Sequence, residues 1–465
     1  MVFCVALARK CLEFFFTIEG NRWRHPEQKR LLSGLFRLIL ACEDQAQRRT
    51  ICANPGVWSV SLCLICSTEM EPFISFGRMP IANGFLSPEQ FASEFFFELK
   101  VGFCPACTMV QLTELVDEKQ LFHEAYPFFS STSLRMADHF RRFSDWVSET
   151  YLRDDDPFVV EIGCNDGILL RNFAGRGIKH LGIEPSSNVA EIARSNAIKV
   201  VSQFFDESLA RNIVNDEGQA DAFLGANVMC HIPYLHSVAE GIRTLLKPTG
   251  VLAFEDPYLG DIVRKTSYDQ IYDEHVFYFS ISSVSRLFGE HGLELIDAIP
   301  QDVHGGSMRY VLAHKGARPI SDAVHRISEY EEQRGLTNAK TYRRFRLNVE
   351  RSKHELMSLL EQLKRSGKRV VGYAATSKST TVINYCGISS ELVEFITDTT
   401  PIKHGKFSPG MHIPVRPHAD FAARYPDYAL LFGWNHAKEI KAKEAAFSAA
   451  GGKWIEYVPG IQVGE

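Results

Sequence analysis

Apolar and polar positions alternate along this chain in two rhythms, and each predicts a different kind of element. Between Leu134 and Tyr151 the residues Met136, Phe140, Phe143 and Trp146 recur three or four positions apart, the spacing of one helix face. A stripe of this kind packs a core more often than it lines a cofactor. Shorter, largely apolar runs at 158–162, 180–183, 222–228 and 250–255 read as strands of a parallel sheet buried on both faces. The charge-rich stretch 321–365 returns to helical spacing through Tyr342, Phe345, Val349, Leu356, Leu359, Leu360 and Leu363, with a break near Gly335, and predicts a helical connector. Beyond it come a strand at 369–373, a small-residue turn at 374–380 opening a helix that ends near Tyr385, and a strand at 392–396 closing on Asp398. Strands alternating with helices predict an α/β protein with two doubly wound units, whose ligands gather at the carboxyl ends of the strands.

Composition narrows the partners. A chain of 465 residues has room for about three domains and a sizeable core. Its 51 Lys and Arg against 56 Asp and Glu give a net charge of −5, and no long block of one sign marks a nucleic-acid or membrane surface. No apolar stretch approaches the roughly 18 residues that span a bilayer. The apolar start at 3–8 meets Arg9 and Lys10 too soon for a secretory signal, so a cytoplasmic protein is expected, monomeric or weakly dimeric. Residues 1–56 hold Cys4, Cys11, a run of phenylalanines from Phe14 to Phe16 and a basic segment ahead of an apolar one, without a chemical constellation. Paired amphipathic helices, a weakly ordered extension and a start assigned upstream of the true one all fit them.

Eleven cysteines in a chain of this size do not suggest a secreted disulfide scaffold. Four of them fall as Cys63-Leu64-Ile65-Cys66 and Cys104-Pro105-Ala106-Cys107, with 37 residues between the pairs. Two such knuckles can close a tetrahedral zinc shell with protein sulfur alone, which leaves no open position and argues for a structural ion. Buried free thiols and redox chemistry are the alternatives.

The strand 158–162 contains Glu161 and runs into Gly163-Cys164-Asn165-Asp166-Gly167, while the next strand ends on Glu184, 23 residues beyond Glu161. An acid there is placed to accept hydrogen bonds from two ribose hydroxyls. The turn lacks a GxGxxG, and the charge of Asn165-Asp166 repels a pyrophosphate, so a cofactor with a cationic amino-acid portion suits it better than NAD. Together with Glu184 it resembles the first two motifs of class I S-adenosylmethionine methyltransferases. Asn227 and His231 would overhang such a cofactor. In the second α/β unit, the hydroxyl-bearing turn with Ser377 and Lys378 suits phosphate at a helix N-terminus, against a packing turn with a solvated lysine.

Titratable groups are densest at Tyr272-Asp273-Glu274-His275, which lead into Val276-Phe277-Tyr278-Phe279. Ionisable groups beside apolar rings acquire shifted pKa values and can move protons, although a solvated loop has the same composition. Taken in order, the two CxxC knuckles, the turn after 158–162, Cys230-His231-Ile232-Pro233, the Tyr272–His275 run, His304-Gly305-Gly306-Ser307 and the turn at 372–379 with Pro409-Gly410-Met411-His412-Ile413-Pro414 resemble the three-domain, zinc-containing C-methyltransferases of nucleotide-linked deoxysugars, over roughly residues 60–465.

That resemblance implies a zinc-binding domain at 57–125, a class I methyltransferase Rossmann-like domain at 126–318, a connector at 319–367 and a second Rossmann-like domain for the nucleotide sugar at 368–465. It implies S-adenosylmethionine at Glu161, Gly163, Asn165, Asp166, Gly167, Glu184 and Asn227, and structural zinc on Cys63, Cys66, Cys104 and Cys107. His275 takes the place of the general base, with Glu274 as its partner and Tyr272 or His231 facing the enolate oxygen. His304, Gly305 and Ser307 fall to the sugar side, and Ser377 and Lys378 to the diphosphate of a thymidine-linked 4-keto sugar. Asp273 is left with a turn or capping role. An RNA acceptor with the zinc knuckle as binding module, and a non-catalytic cofactor-binding scaffold, are the competing readings; the balanced charge speaks against the first and the intact Tyr272–His275 run against the second.

Overall fold

In the computed structural model, strand β4 (Phe158–Ile162) is buried at every position and lies in the interior of a seven-stranded sheet. The structure describes residues 61–121 and 134–464; the expected extension 1–56 and the aromatic segment 126–131 lie outside the described residues. Before the central sheet come β1 (Glu71–Pro80), β2 (Phe96–Phe103), β3 (Val110–Leu112) and helix α1 (Leu134–Tyr151). After β4 follow β5 (Lys179–Ile183), α2 (Ser187–Ser195), β6 (Val200–Val201), α3 (Glu207–Glu217), β7 (Ala220–Ala226), α4 (Leu235–Leu245) and β8 (Leu246–Pro257). Next are α5 (Leu259–Lys265), β9 (Phe277–Tyr278), α6 (Ile281–Gly289), β10 (Leu293–Gln301) and β11 (Ser307–His314). The sheet order is β6-β5-β4-β7-β8-β11-β10. Neighbours from β6 to β8 run parallel, and β11 and β10 close the edge as an antiparallel hairpin. The order reverses at β4, which opens a crevice at the carboxyl ends of β4 and β7.

Strands β1, β2 and β3 form an antiparallel sheet that carries the cysteine knuckles at its ends, and its fourth strand is β9, borrowed from the Tyr272–Phe279 region. The chemically dense segment is therefore bolted to the first sheet by backbone hydrogen bonds. Two connector helices, α7 (Asp322–Arg334) and α8 (Ala339–Arg365), are separated by Gly335 in the left-handed conformation at φ 70°. Tyr342, Phe345, Val349, Leu356, Leu360 and Leu363 form the buried face of α8. Tyr342 packs on Phe73 of β1 with ring centroids 5.1 Å apart, so the connector also braces the first sheet. The third sheet, β14-β13-β12-β15-β16-β17, comprises β12 (Val370–Tyr373), β13 (Ile396–Asp398), β14 (Val415–Pro417), β15 (Tyr428–Leu431), β16 (Lys453–Glu456) and β17 (Gln462–Gly464), parallel except for β17. Helix α9 (Ser377–Cys386) follows β12. No helix among the described residues is long and apolar enough to cross a membrane.

Three local expectations shift. The turn after β4 continues through Leu170, and only Arg171–Ala174 is helical before Gly175 caps it. The strand expected at 392–396 begins at Ile396, because the preceding residues turn after α9 before joining the sheet. The stripe on α1 does two jobs: Phe143 is fully buried, and together with Trp146 it stacks on the guanidinium of Arg309, at 4.0 and 4.5 Å, whereas Met136 and Phe140 face a cavity.

Candidate active site

A cavity of about 720 Å³ runs along the carboxyl ends of β4 and β7 and under the first turn of α9. Gly163, Asn165, Glu184, Asn227, His231, Tyr272, Glu274, His275, His304, Ser377 and Lys378 all line it. Residues far apart in the chain thus meet around one space.

At the β4 end, the positive φ of Gly163 and Asn165, 64° and 48°, folds the turn back so that its backbone faces the cavity. A Cβ on Gly163 would come within 2.6 Å of Val228, so glycine is also needed for packing. The Glu184 carboxylate accepts the Asn165 N–H at 3.0 Å and the Ser186 N–H at 2.9 Å, which fixes its plane at the rim. Glu161, Asp166 and Gly167 stand behind this wall. Burial, and then the neighbouring Glu184 and Asp166 carboxylates, push Glu161 well above the usual carboxylate range. Glu161 Oε2 has no hydrogen-bond partner among the described residues. Three acids buried together at this turn form an environment that favours a positively charged ligand, which fits S-adenosylmethionine and opposes a dinucleotide pyrophosphate. A Cβ on Gly167 would come within 2.8 Å of Ile198, so that glycine serves packing.

At the middle of the cavity, the Nδ1 of His275 lies 2.7 Å from the Gln270 carbonyl and its Nε2 lies 2.7 Å from the Tyr272 hydroxyl. A carbonyl can only accept, so Nδ1 carries the proton, and Nε2 presents a lone pair to which the phenol donates. Burial, and next the His231 ring stacked 5.2 Å away, hold His275 well below its ordinary pKa, so the imidazole is neutral near pH 7. Burial lowers His231 to about 4. Asp273 Oδ1 accepts the Ala82 N–H at 3.1 Å, which ties this segment to the loop between β1 and β2. Asn83 Nδ2 donates to Glu274 Oε1 at 2.6 Å. Asn83 also lines the cavity and carried no signal in the sequence, since it sits in an ordinary turn between Pro80 and Gly84.

At the α9 end, Thr376 caps the helix through its hydroxyl, and Ser377 and Lys378 form the first turn, where N–H groups point outward. Burial lowers Lys378 to about 8, and Lys403, on the same wall, is also lowered by burial. Lys378 Nζ reaches the His304 carbonyl at 3.4 Å, and that carbonyl also accepts from the Gln270 side chain. Asp269, buried beneath, takes the Trp434 indole N–H at 2.6 Å and the Tyr457 hydroxyl at 2.9 Å. Of the HGGS turn only His304 faces the cavity. Gly305 is not opened towards a ligand: a Cβ there would overlap the Trp434 ring, so its absence lets the turn pack on the C-terminal sheet. Ser307 is buried at the start of β11 and donates to the Val303 carbonyl at 3.3 Å.

The four knuckle sulfurs lie within 4.8 Å of one another, with Cys63–Cys107 and Cys66–Cys104 each 3.4 Å apart. A tetrahedral zinc with bonds of about 2.3 Å needs sulfur–sulfur edges of about 3.8 Å, so the set fits the ion with small adjustments. The Ile65 and Cys107 N–H groups donate to Cys63 and Cys104 sulfur, as thiolate knuckles require. His236 of α4 holds the Ile65 carbonyl at 2.7 Å and is backed by His291 and Glu240, which fastens the first knuckle to the central sheet.

Family models match in three consecutive blocks: a zinc binding domain over residues 63–122, a methyltransferase domain over 130–298 and a C-methyltransferase C-terminal domain over 302–459. "C-methyltransferase NovU" of Streptomyces niveus is 32% identical over 400 residues, covering 85% of this chain and 95% of that protein. This chain belongs to the C-methyltransferase family. It is an S-adenosylmethionine-dependent C-methyltransferase with a class I methyltransferase fold and an N-terminal zinc-binding domain. A second similar protein, the "Ubiquinone biosynthesis O-methyltransferase" of Glaesserella parasuis serovar 5 (strain SH0165), is 30% identical over 100 residues, 20% of this C-methyltransferase and 42% of that enzyme. Among solved structures, magnesium protoporphyrin IX methyltransferase (ChlM) from Synechocystis PCC 6803 with bound SAH aligns with a TM-score of 0.32 at 14% identity, covering 38% of this chain and 83% of that one.

Proposed function

We propose that this C-methyltransferase acts on a carbon next to the keto group of a nucleotide-linked 4-keto-deoxysugar, with His275 as the base. One observation carries the reading: the neutral His275–Tyr272 pair lies on the wall of the same cavity that has the Glu184 rim at one end and the α9 N-terminus with Lys378 at the other. Glu184, Gly163, Asn165 and Asn227 would hold S-adenosylmethionine, which supplies an electrophilic methyl group when bound. Methylating carbon demands an electron-rich carbon, and removing a proton next to a carbonyl creates one as an enolate. His275 Nε2 takes that proton and becomes an imidazolium, whose Nδ1–H stays on the Gln270 carbonyl. The Tyr272 phenol, released from Nε2, and His231 are the donors within reach of the developing enolate oxygen. With S-adenosylmethionine bound, the enolate carbon would form the new carbon–carbon bond as the methyl–sulfur bond breaks and a neutral thioether is left, and the proton on His275 would leave to solvent after turnover.

The substrate assignment rests on the other end of the cavity. Lys378 and Lys403, with the outward N–H groups of α9, suit a diphosphate, and His304 stands between them and the reacting groups. A cavity about 720 Å³ in volume, lined from the cofactor rim to these lysines, has room for a hexose between the two. Incubating the enzyme with S-adenosylmethionine and a thymidine-diphosphate 4-keto-6-deoxy sugar tests the proposal. A product heavier by one carbon-bound methyl supports it; an O-methyl product contradicts the enolate chemistry.

A further inference from the structure

The loop between β1 and β2 belongs to the zinc module, yet several of its hydrogen bonds reach parts of the chain far from that module. Leu86 and Phe407 exchange backbone hydrogen bonds at 3.3 and 2.9 Å, the Thr380 hydroxyl donates to the Ala82 carbonyl at 2.8 Å, and the Ala82 N–H donates to Asp273. Ala82 itself is only 2% exposed. A loop fixed at this many points presents its next side chain, Asn83, in one place, and that place is the cavity wall against Glu274. The contact has a defined polarity. A carboxylate only accepts, so the amide nitrogen faces Glu274 and adds a donor without adding charge.

We propose that Asn83 is a positioning residue of the methyl-transfer site, through which the zinc module holds the Glu274 carboxylate in one orientation beside His275. The proposal rests on the functional reading above and adds to it a reason why a structural zinc domain is joined to this enzyme: it delivers one amide to the carboxylate that neighbours the base. Among the described residues, the other titratable groups near Glu274 include Asp273, Tyr272 and His275 on its own turn and Cys230 and His231 on the facing turn. The loop Ile81-Ala82-Asn83-Gly84-Phe85 carries no titratable side chain, so a charge introduced at position 83 is the only new one.

The amide makes a prediction that a packing role does not. In Asn83→Asp a second carboxylate replaces the donor 2.6 Å from Glu274, where two like charges cannot both ionise, and the pair shares one proton. Below the raised pKa the aspartic acid donates again; above it the contact repels. Relative to wild type, kcat of Asn83→Asp is expected to fall by about 10- to 100-fold at pH 8, the size of a lost charge-assisted hydrogen bond. It is expected to recover as the pH drops towards 6. Asn83→Leu is expected to lose a similar factor at every pH. In both variants zinc content and the Kd for S-adenosylmethionine stay at wild-type values. Unchanged kcat in both, or an equal loss across pH in Asn83→Asp, overturns the proposal. Should wild type itself transfer no methyl group to the keto sugar, the substrate reading fails separately. The Tm offset between Asn83→Asp and wild type then decides: it is expected to widen as pH rises, because a group whose folded pKa is raised loses its stabilising protonated form on that side, and a constant offset overturns the contact.

Discussion

At the scale of single residues, what suits His275 to the proposed role of base is that two bonds divide its nitrogens: Gln270 takes the Nδ1 proton and Tyr272 addresses the Nε2 lone pair. With its folded pKa well below 6.5, the imidazole stays neutral as pH falls through that value. The acid limb of kcat/KM is therefore expected below pH 6.5, measured as a pH–rate profile with the keto-sugar substrate; a limb at or above 6.5 would mean that another group is the base. Lys378, lowered to about 8, is charged below that pH and loses its charge above it. KM for the sugar nucleotide is expected to rise as pH passes about 8 while kcat changes little, which initial-rate kinetics would check. The density of titratable groups made Tyr272, Glu274 and His275 legible in the sequence. Asn83, Lys403 and Asp269 were not, because a lone amide, lysine or aspartate has no local pattern and acquires its role only from what the fold sets against it.

At the scale of elements, periodicity found α1, β4, β5, β7 and the break at Gly335, since each has one face or two faces wholly buried and so an apolar rhythm. It erred where short-range geometry took over: after Gly167, where the helix shrank to Arg171–Ala174, and before β13, where the chain turns without an apolar signal. The HGGS turn is the instructive case. Two consecutive glycines suggested room for a ligand, yet what approaches Gly305 is Trp434, and what approaches Gly306 is the Asp261 carboxylate. Gly305→Ala forces a Cβ into the indole at a residue with φ 88°, and is expected to cost about 1–3 kcal/mol, read as a lowered Tm in thermal unfolding. If Gly305→Ala left Tm unchanged and altered only KM, the turn would be a ligand contact after all.

At the scale of the molecule, the three sheets are not beads on a string. Strand β9 completes the first sheet, β1 packs on the connector, and one cavity is walled by all three. The order of motifs made the three-part plan legible, but their mutual grip was not, since it rests on contacts such as His236 to the Ile65 carbonyl across 171 residues. Zinc, bound to knuckles that hold no open position, is expected to matter through this grip. Cys104→Ser is expected to lower zinc content by metal analysis and Tm together, with methyl transfer falling in proportion to the remaining zinc; full activity in a zinc-free, folded variant would separate the module from the site. The most direct measurement of the whole account is solvent exchange without methyl transfer. In deuterium oxide, with S-adenosylhomocysteine in place of the methyl donor, the wild-type enzyme is expected to place deuterium on the carbon beside the keto group, and His275→Ala to slow that exchange by about 10²- to 10⁴-fold. Exchange at the wild-type rate in His275→Ala would contradict it.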